Sequence, residues 1–158
     1  MVPAGDNAPA GHSMRWIAIL LTGAMVALRI RTVGWFLVML WPLYLVWAGV
    51  HLIIVLRHLR LVVRVPSKAK ISPIVLFWLS QGLYFTAMVV QVDFGDTPDS
   101  VHIALQYLIG NNAISRAVQE HWSHWFTLAG MGLAVVYGLQ LIQITRRERG
   151  SGKGARSA

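Results

Sequence analysis

The chain has 158 residues, 56% of them hydrophobic and only 13% charged, and its apolar residues fall in blocks too long for a soluble fold. The formal charge of +8 resides in cations that flank those blocks, which points to anionic lipid as a partner and away from nucleic acid. Cysteine is absent, which excludes disulfides, thiolate metal ligands, iron–sulfur sites and a cysteine nucleophile. The expected fold class is all-α: a polytopic membrane helical bundle of three or four transmembrane helices, with an interfacial or re-entrant helix between the last two.

In chain order, residues 1 to 13 (MVPAGDNAPAGHS) are rich in Gly, Pro and Ala without periodicity and read as a disordered tail. A single transmembrane domain is expected over 14 to 148, followed by a basic disordered tail over 149 to 158. The first apolar block, Trp16 to Leu28, makes only about 20 Å of helix, short of a ~30 Å hydrocarbon core unless Arg29 and Arg31 snorkel and the bilayer thins. Three readings compete for it. As a signal peptide starting at Met14 it has a suitable apolar length, but Ala24 to Ala27 do not place small side chains at both cleavage positions. It can also lie flat as an interfacial helix, or form a short first span paired with the second through the turn RIRTVG at residues 29 to 34. The short span is the expectation.

The second block, Val33 to Leu56, the third, Ile71 to Val92, and the fourth, Trp122 to Ile144, are each about 33 to 36 Å long as helices, enough to cross the membrane. Pro42 removes one backbone donor from the second and predicts a kink near Val38 to Trp41. Beyond Leu56 come Arg57, Arg60 and Arg64, at about 0, 300 and 340 degrees around the helix and therefore on one face. This resembles the voltage-sensing helix of cation channels, but only over about ten residues: a third-residue repeat would continue at Val63 and Pro66. A moving arginine helix also needs carboxylates in the membrane, and none occurs from residue 7 to residue 92. These arginines, with Lys68 and Lys70, are expected instead to bind lipid headgroups at the inner rim, as are Arg146 and Arg147.

The loop 57 to 70 carries five cations and no acid, and the segment from Arg146 to Arg156 five cations against Glu148 alone. Residues 93 to 120 hold Asp93, Asp96, Asp99 and Glu120 against Arg116. The positive-inside rule places the cationic segments, including the C-terminus, in the cytoplasm and the acidic loop outside the cell (inner) membrane. A four-span chain then leaves Arg29 and Arg31 on the outer side, where the acidic loop is their expected counterpart.

Between the last two spans, Asp99 or Ser100 can cap a helix carrying Val101, Ala104, Leu105 and Leu108 at helical spacing, broken by Gly110, Asn111 and Asn112. A second amphipathic piece spans Ala113 to Gln119. Lying flat, the pieces form an elbow over the outer end. Dipping in, residues 101 to 109 make a half-membrane helix about 14 Å long before a polar turn, similar in layout to pore-loop channels. That layout supports an oligomeric pore, holin-like or a small channel, although the filter signature TVGYG and any acidic ring at the turn are missing.

Six histidines invite metal and haem sites. Asp93, Asp96, Asp99 and His102 recur every third residue, and His121 and His124 stand at i, i+3, suited in type to zinc. Gly95 and Pro98 argue for ordinary turns instead. Haem needs two facing histidines at one depth; His51 is the one histidine well inside a span, and His58 lies seven residues along the same helix. No cofactor is therefore expected, with zinc or haem as the alternative.

Tyr44, Gln81, Tyr84 and Tyr137 lie near the midplane, with Ser80 and Thr86 close by. Hydrocarbon cannot solvate an amide, so Gln81 requires a partner on another helix or subunit. Gly130, Ala134 and Gly138 leave a smooth strip on the fourth span that admits close helix packing. No acid, lysine or cysteine lies inside a span, and no nucleophile elbow, zincin motif, phosphate loop or dinucleotide fingerprint appears. The expected function is non-catalytic: an accessory or assembly subunit that packs against other membrane chains or against itself.

Overall fold

A computed structural model describes residues 8 to 31, 35 to 64, 71 to 93, 102 to 109, 117 and 120 to 154. Four helices are long and apolar enough to cross a membrane: α1 (Ala8–Arg31), α2 (Trp35–Arg64), α3 (Ile71–Val90) and, after a short α4 (Ala104–Ile109), α5 (Trp122–Gly154). The only strands among the described residues are β1 (Val92–Asp93) and β2 (His102–Ile103), which pair antiparallel with Val92 opposite Ile103 and Asp93 opposite His102.

The helix ends follow local chemistry. Pro9 lies in the first turn of α1 and Pro73 in the first turn of α3, where a missing N–H costs nothing and the fixed φ favours entry. α2 stops at Arg64, two residues before Pro66, which biases its predecessor away from helix. Pro42 sits inside one continuous α2. Both terminal helices run past their expected limits, α1 back to Ala8 and α5 forward to Gly154. Extending a formed helix fixes one residue per hydrogen bond gained, so a stable span carries helix into polar flanks that could not start one alone.

α2 and α3 form the central pair, each packed against the other, with α1 and α5 also packed on both. Over half of the α3 span, 56%, is buried, against 22% for α1 and for α5. Ala18, Val55, Leu59 and Phe77 cluster at one end, joined by Met14, Leu56 and Ile74. Met25, Tyr44, Tyr84, Met88, Val89 and Leu133 form the second cluster. Successive spans therefore run up and down. Arg15, Arg57, Arg60, Arg146, Arg147 and Arg149 belong to the first end, while Arg29, β1 and β2 belong to the other.

Polarity is inverted relative to a water-soluble protein. Large apolar side chains face outward, among them Leu20, Met39, Leu43, Val46, Ile53, Met131 and Val135, while Arg29, His51, His58, Ser80, Gln81 and Gln140 are buried. Hydrocarbon as the surrounding medium accounts for both halves of that pattern.

One close approach uses a glycine. A Cβ at Gly132 would stand 3.3 Å from both δ-methyls of Leu83 on α3, whereas one at Gly130 would meet nothing within 4 Å. Gly132→Val is expected to lower unfolding stability in detergent by about 1 to 3 kcal/mol through overpacking. Gly130→Val should stay within about 0.5 kcal/mol of the parent in the same thermal or denaturant titration.

Candidate functional site

The buried polar groups meet in two layers between α2, α3 and α5. In the first, Gln81 Nε2 on α3 donates to His51 Nε2 on α2 at 3.0 Å. The neutral ring then carries its hydrogen on Nδ1 and donates it to the Tyr137 hydroxyl oxygen on α5 at 2.6 Å. Tyr84 lies flat against the same ring, with centroids 4.1 Å apart and planes 12° apart. Trp47 meets the Tyr84 ring edge-on at 5.4 Å and closes that side.

The second layer lies two helical turns along α2. His58 Nε2 donates to Gln143 Oε1 at 2.9 Å, and Gln143 Nε2 donates to Ser72 Oγ at 3.3 Å. Gln140 Nε2 donates to the Leu76 carbonyl at 3.2 Å and to Ser80 Oγ at 3.3 Å, with His58 Nδ1 a third acceptor at 3.5 Å. Ser80 Oγ in turn donates to the Phe77 carbonyl at 2.8 Å. The layers share a frame because His51 and His58 are seven residues apart on one face of α2, and Tyr137 and Gln140 are three apart on α5.

Of the midplane residues named from the sequence, Gln81, Tyr84 and Tyr137 converge on His51. Tyr44 does not. It lies at the opposite end of the bundle, where the Arg29 guanidinium stands 5.6 Å over its ring and Arg29 Nη1 donates to the Gln91 carbonyl at 3.0 Å. Arg29 is only 2% exposed, so it enters the bundle instead of snorkelling outward. Of the acidic residues expected to face it, Asp96 and Asp99 lie outside the described residues, and Asp93 is described only through the backbone of β1.

Gln140, Gln143 and Ser72 fall outside the residues expected from the sequence. The signal for the two glutamines was their third-residue spacing after Tyr137, opposite the His51 and His58 repeat. Thr86 satisfies its hydroxyl on the Gly82 carbonyl of its own helix and serves no neighbour.

Along the strip Gly130, Ala134 and Gly138, the two glycines are half-buried and make no close approach to another helix. A Cβ at Gly138, like one at Gly130, would meet nothing within 4 Å, and Ala134 is exposed. Within the chain it is Gly132 that admits the close approach.

Arg57, Arg60, Arg146 and Arg147 are exposed, Arg64 ends α2, and Lys68 and Lys70 lie outside the described residues. Gly110, Asn111 and Asn112 are also outside them. The α4 helix that leads toward that turn buries Ala104 and packs Leu105 on the second apolar cluster.

Both ring nitrogens of His51 are engaged, so a haem iron or metal ion there must displace Tyr137 or Gln81. His121 and His124 are exposed, and His121 Nδ1 donates to the Ala117 carbonyl at 3.3 Å. His102 pairs through its backbone with Asp93. Among the described residues no three His, Asp or Glu side chains come together as a metal-ligand group.

Compared with known protein families, curated proteins and solved structures, the chain shows no match.

Gln81→Leu and Tyr137→Phe are each expected to lower stability in detergent by ~0.6 to 2 kcal/mol, the usual worth of an interhelical hydrogen bond in a membrane protein. Tyr84→Phe should be neutral or slightly stabilising. Its buried hydroxyl has no partner, and phenylalanine keeps the stack on His51.

Proposed function

We propose that this chain is an integral protein of the cell (inner) membrane without catalytic activity, serving as an accessory or assembly subunit that packs against other membrane chains. The observation that carries this reading is the outward face of α5. Gly130, Ala134 and Gly138 leave its backbone uncovered, beside Met131 and Val135, which are 64% and 63% exposed. Small residues at this spacing are what a second transmembrane helix uses to approach closely, and dispersion contacts along such a strip drive association where no hydrophobic effect operates between helices. The carboxylates, lysines and cysteines of membrane catalysis are absent from the four apolar blocks, and Glu148 and Lys153 lie beyond the last of them.

The cationic end supports an orientation. Arg15, Arg57, Arg60, Arg146, Arg147 and Arg149 share one end of the bundle, suited to anionic headgroups on the cytoplasmic face at about 1 kcal/mol each. The C-terminus then lies in the cytoplasm and the acidic segment 93 to 120 on the outer side.

Two experiments test these statements. Purified in mild detergent, the chain should carry a larger membrane partner that is lost from Ala134→Trp but retained by Val46→Trp, a matched change on the exposed face of α2. A chain that instead releases dye from pure liposomes is a pore, and one with a Soret band holds haem; either result overturns the reading. Because the sequence lacks cysteine, single substitutions report topology cleanly. An impermeant maleimide added outside intact spheroplasts should label Arg31→Cys and leave Arg149→Cys untouched.

A further inference from the structure

The second polar layer is short of donors. Gln140 is fully buried, and its amide nitrogen has two hydrogens for three acceptors: the Leu76 carbonyl, Ser80 Oγ and His58 Nδ1. The two nearer ones, at 3.2 and 3.3 Å, take those hydrogens, leaving His58 Nδ1 with the marginal contact at 3.5 Å. Gln140 Oε1, across the same amide, accepts nothing at all. Two acceptors on facing helices thus need hydrogens, and a water molecule brings two.

The polar layers also have a direction. At the arginine-rich end the chain of partners reaches the surface through Gln143, half-buried, and Ser72, exposed. It then passes inward through His58, Gln140 and Ser80. Gln81, next to Ser80 in sequence, belongs to the His51 layer, and no described hydrogen bond joins the two layers; both Gln81 and His51 are buried. Beyond His51, toward the Arg29 end, Tyr84, Tyr44, Met25, Met88, Val89 and Leu133 pack together. Two cavities of about 200 and 230 Å³ open at that end, and neither has His51 or Gln81 in its wall.

We propose that water enters the bundle from the arginine-rich end, bridges Gln140 Oε1 and His58 Nδ1, and lets His51 exchange protons with the compartment at that end and no other. The groups that face His51 are Gln81 and Tyr84 from α3 and Tyr137 from α5, with no described carboxylate or cation among them. No described hydrogen bond or ring contact reaches it from α1.

The proton taken up comes from hydronium in the compartment at that end, is carried by the entering water and binds His51 Nε2. There it would confront the Gln81 amide nitrogen, donor against donor. Gln81 must turn its amide to present Oε1 as acceptor, while Nδ1–H continues to donate to Tyr137. Release of the proton to the same water restores the first arrangement. Proton binding therefore rewrites the α2 to α3 contact and leaves the α2 to α5 contact intact, a response that does not depend on what meets the outer face of α5.

The test uses the full chain in vesicles of a single known orientation. Nitrogen-15 resonances of the imidazole, assigned to His51 by their loss in His51→Gln, should follow the pH of the compartment at the arginine-rich end and ignore the other. In a second measurement, silver ion is added to one side at a time and the remaining free thiol is counted after unfolding. Ser80→Cys should be blocked from the arginine-rich side alone, and Leu133→Cys from neither. An imidazole that follows the opposite compartment, or neither, overturns the proposal. So does a Ser80→Cys thiol that is reached from both sides or from none.

Discussion

His51 is held between an amide on α3 and a phenol on α5, and in hydrocarbon none of the three groups could exchange its partner for water. Each such bond is modest in net energy, ~0.6 to 2 kcal/mol, because a separated helix in a membrane finds other partners. Its value lies in direction. Apolar side chains slide over one another with little preference, whereas a ring nitrogen, an amide and a hydroxyl meet at one rotation of each helix. His58 repeats the device two turns further on with Gln140 and Gln143, so α2 and α5 are fixed at two heights instead of one. A helix pinned at two heights can neither rotate nor tilt freely against its partner.

That fixed rotation decides what the outside of the molecule offers. With Tyr137 and Gln140 turned inward, Ala134 and Gly138 are carried to the outer side of α5, and Gly132 instead meets Leu83. The small-residue strip and the polar face are two consequences of one helical phase. A change that released α5 from His51 would therefore alter the outer face as well, with no residue of that face being touched. This is how a buried hydrogen bond and a membrane-facing surface come to be coupled in a bundle of this size.

The three longer spans were legible because each contains an uninterrupted apolar run of sufficient length, a property that needs no tertiary information. The first was harder to read for a specific reason. Counting inward from Arg29 as a boundary gave thirteen residues, but Arg29 lies inside, against Gln91 and the Tyr44 ring, and the helix reaches from Ala8 to Arg31. The need of Gln81 for a partner on another helix could be stated from the sequence, since hydrocarbon forbids a bare amide. That the partner is His51 could not, because the relative height of two helices depends on how their ends are joined. Gln140 and Gln143 sit where an apolar run gives way to arginines, and headgroups could have received them; only the Leu76 carbonyl and Ser72 on α3 turn them inward. The GxxxAxxxG strip was visible as spacing, yet spacing alone does not say whether a neighbour inside or outside the chain fills it.

Charge completes the arrangement. Among the described residues the arginine-rich end carries a single acid, Glu148, and Arg57 and Arg60 project outward from a helix whose opposite face holds His58. A positive end repels a further cation, so a proton that reaches the buried histidines is carried by the entering water past the neutral polar groups of Ser72, Gln143 and Gln140. The opposite end places its buried cation, Arg29, beside the apolar cluster, where a guanidinium over an aromatic ring and a carbonyl offsets part of its desolvation. The hydrogen-bonded layers thus extend from His51 toward the arginine-rich end, while rings and aliphatic side chains pack between His51 and the Arg29 end. The same four helices therefore present two chemically different ends to the two sides of a membrane, an asymmetry set by where the polar residues fall along each helix and independent of the loops that join them.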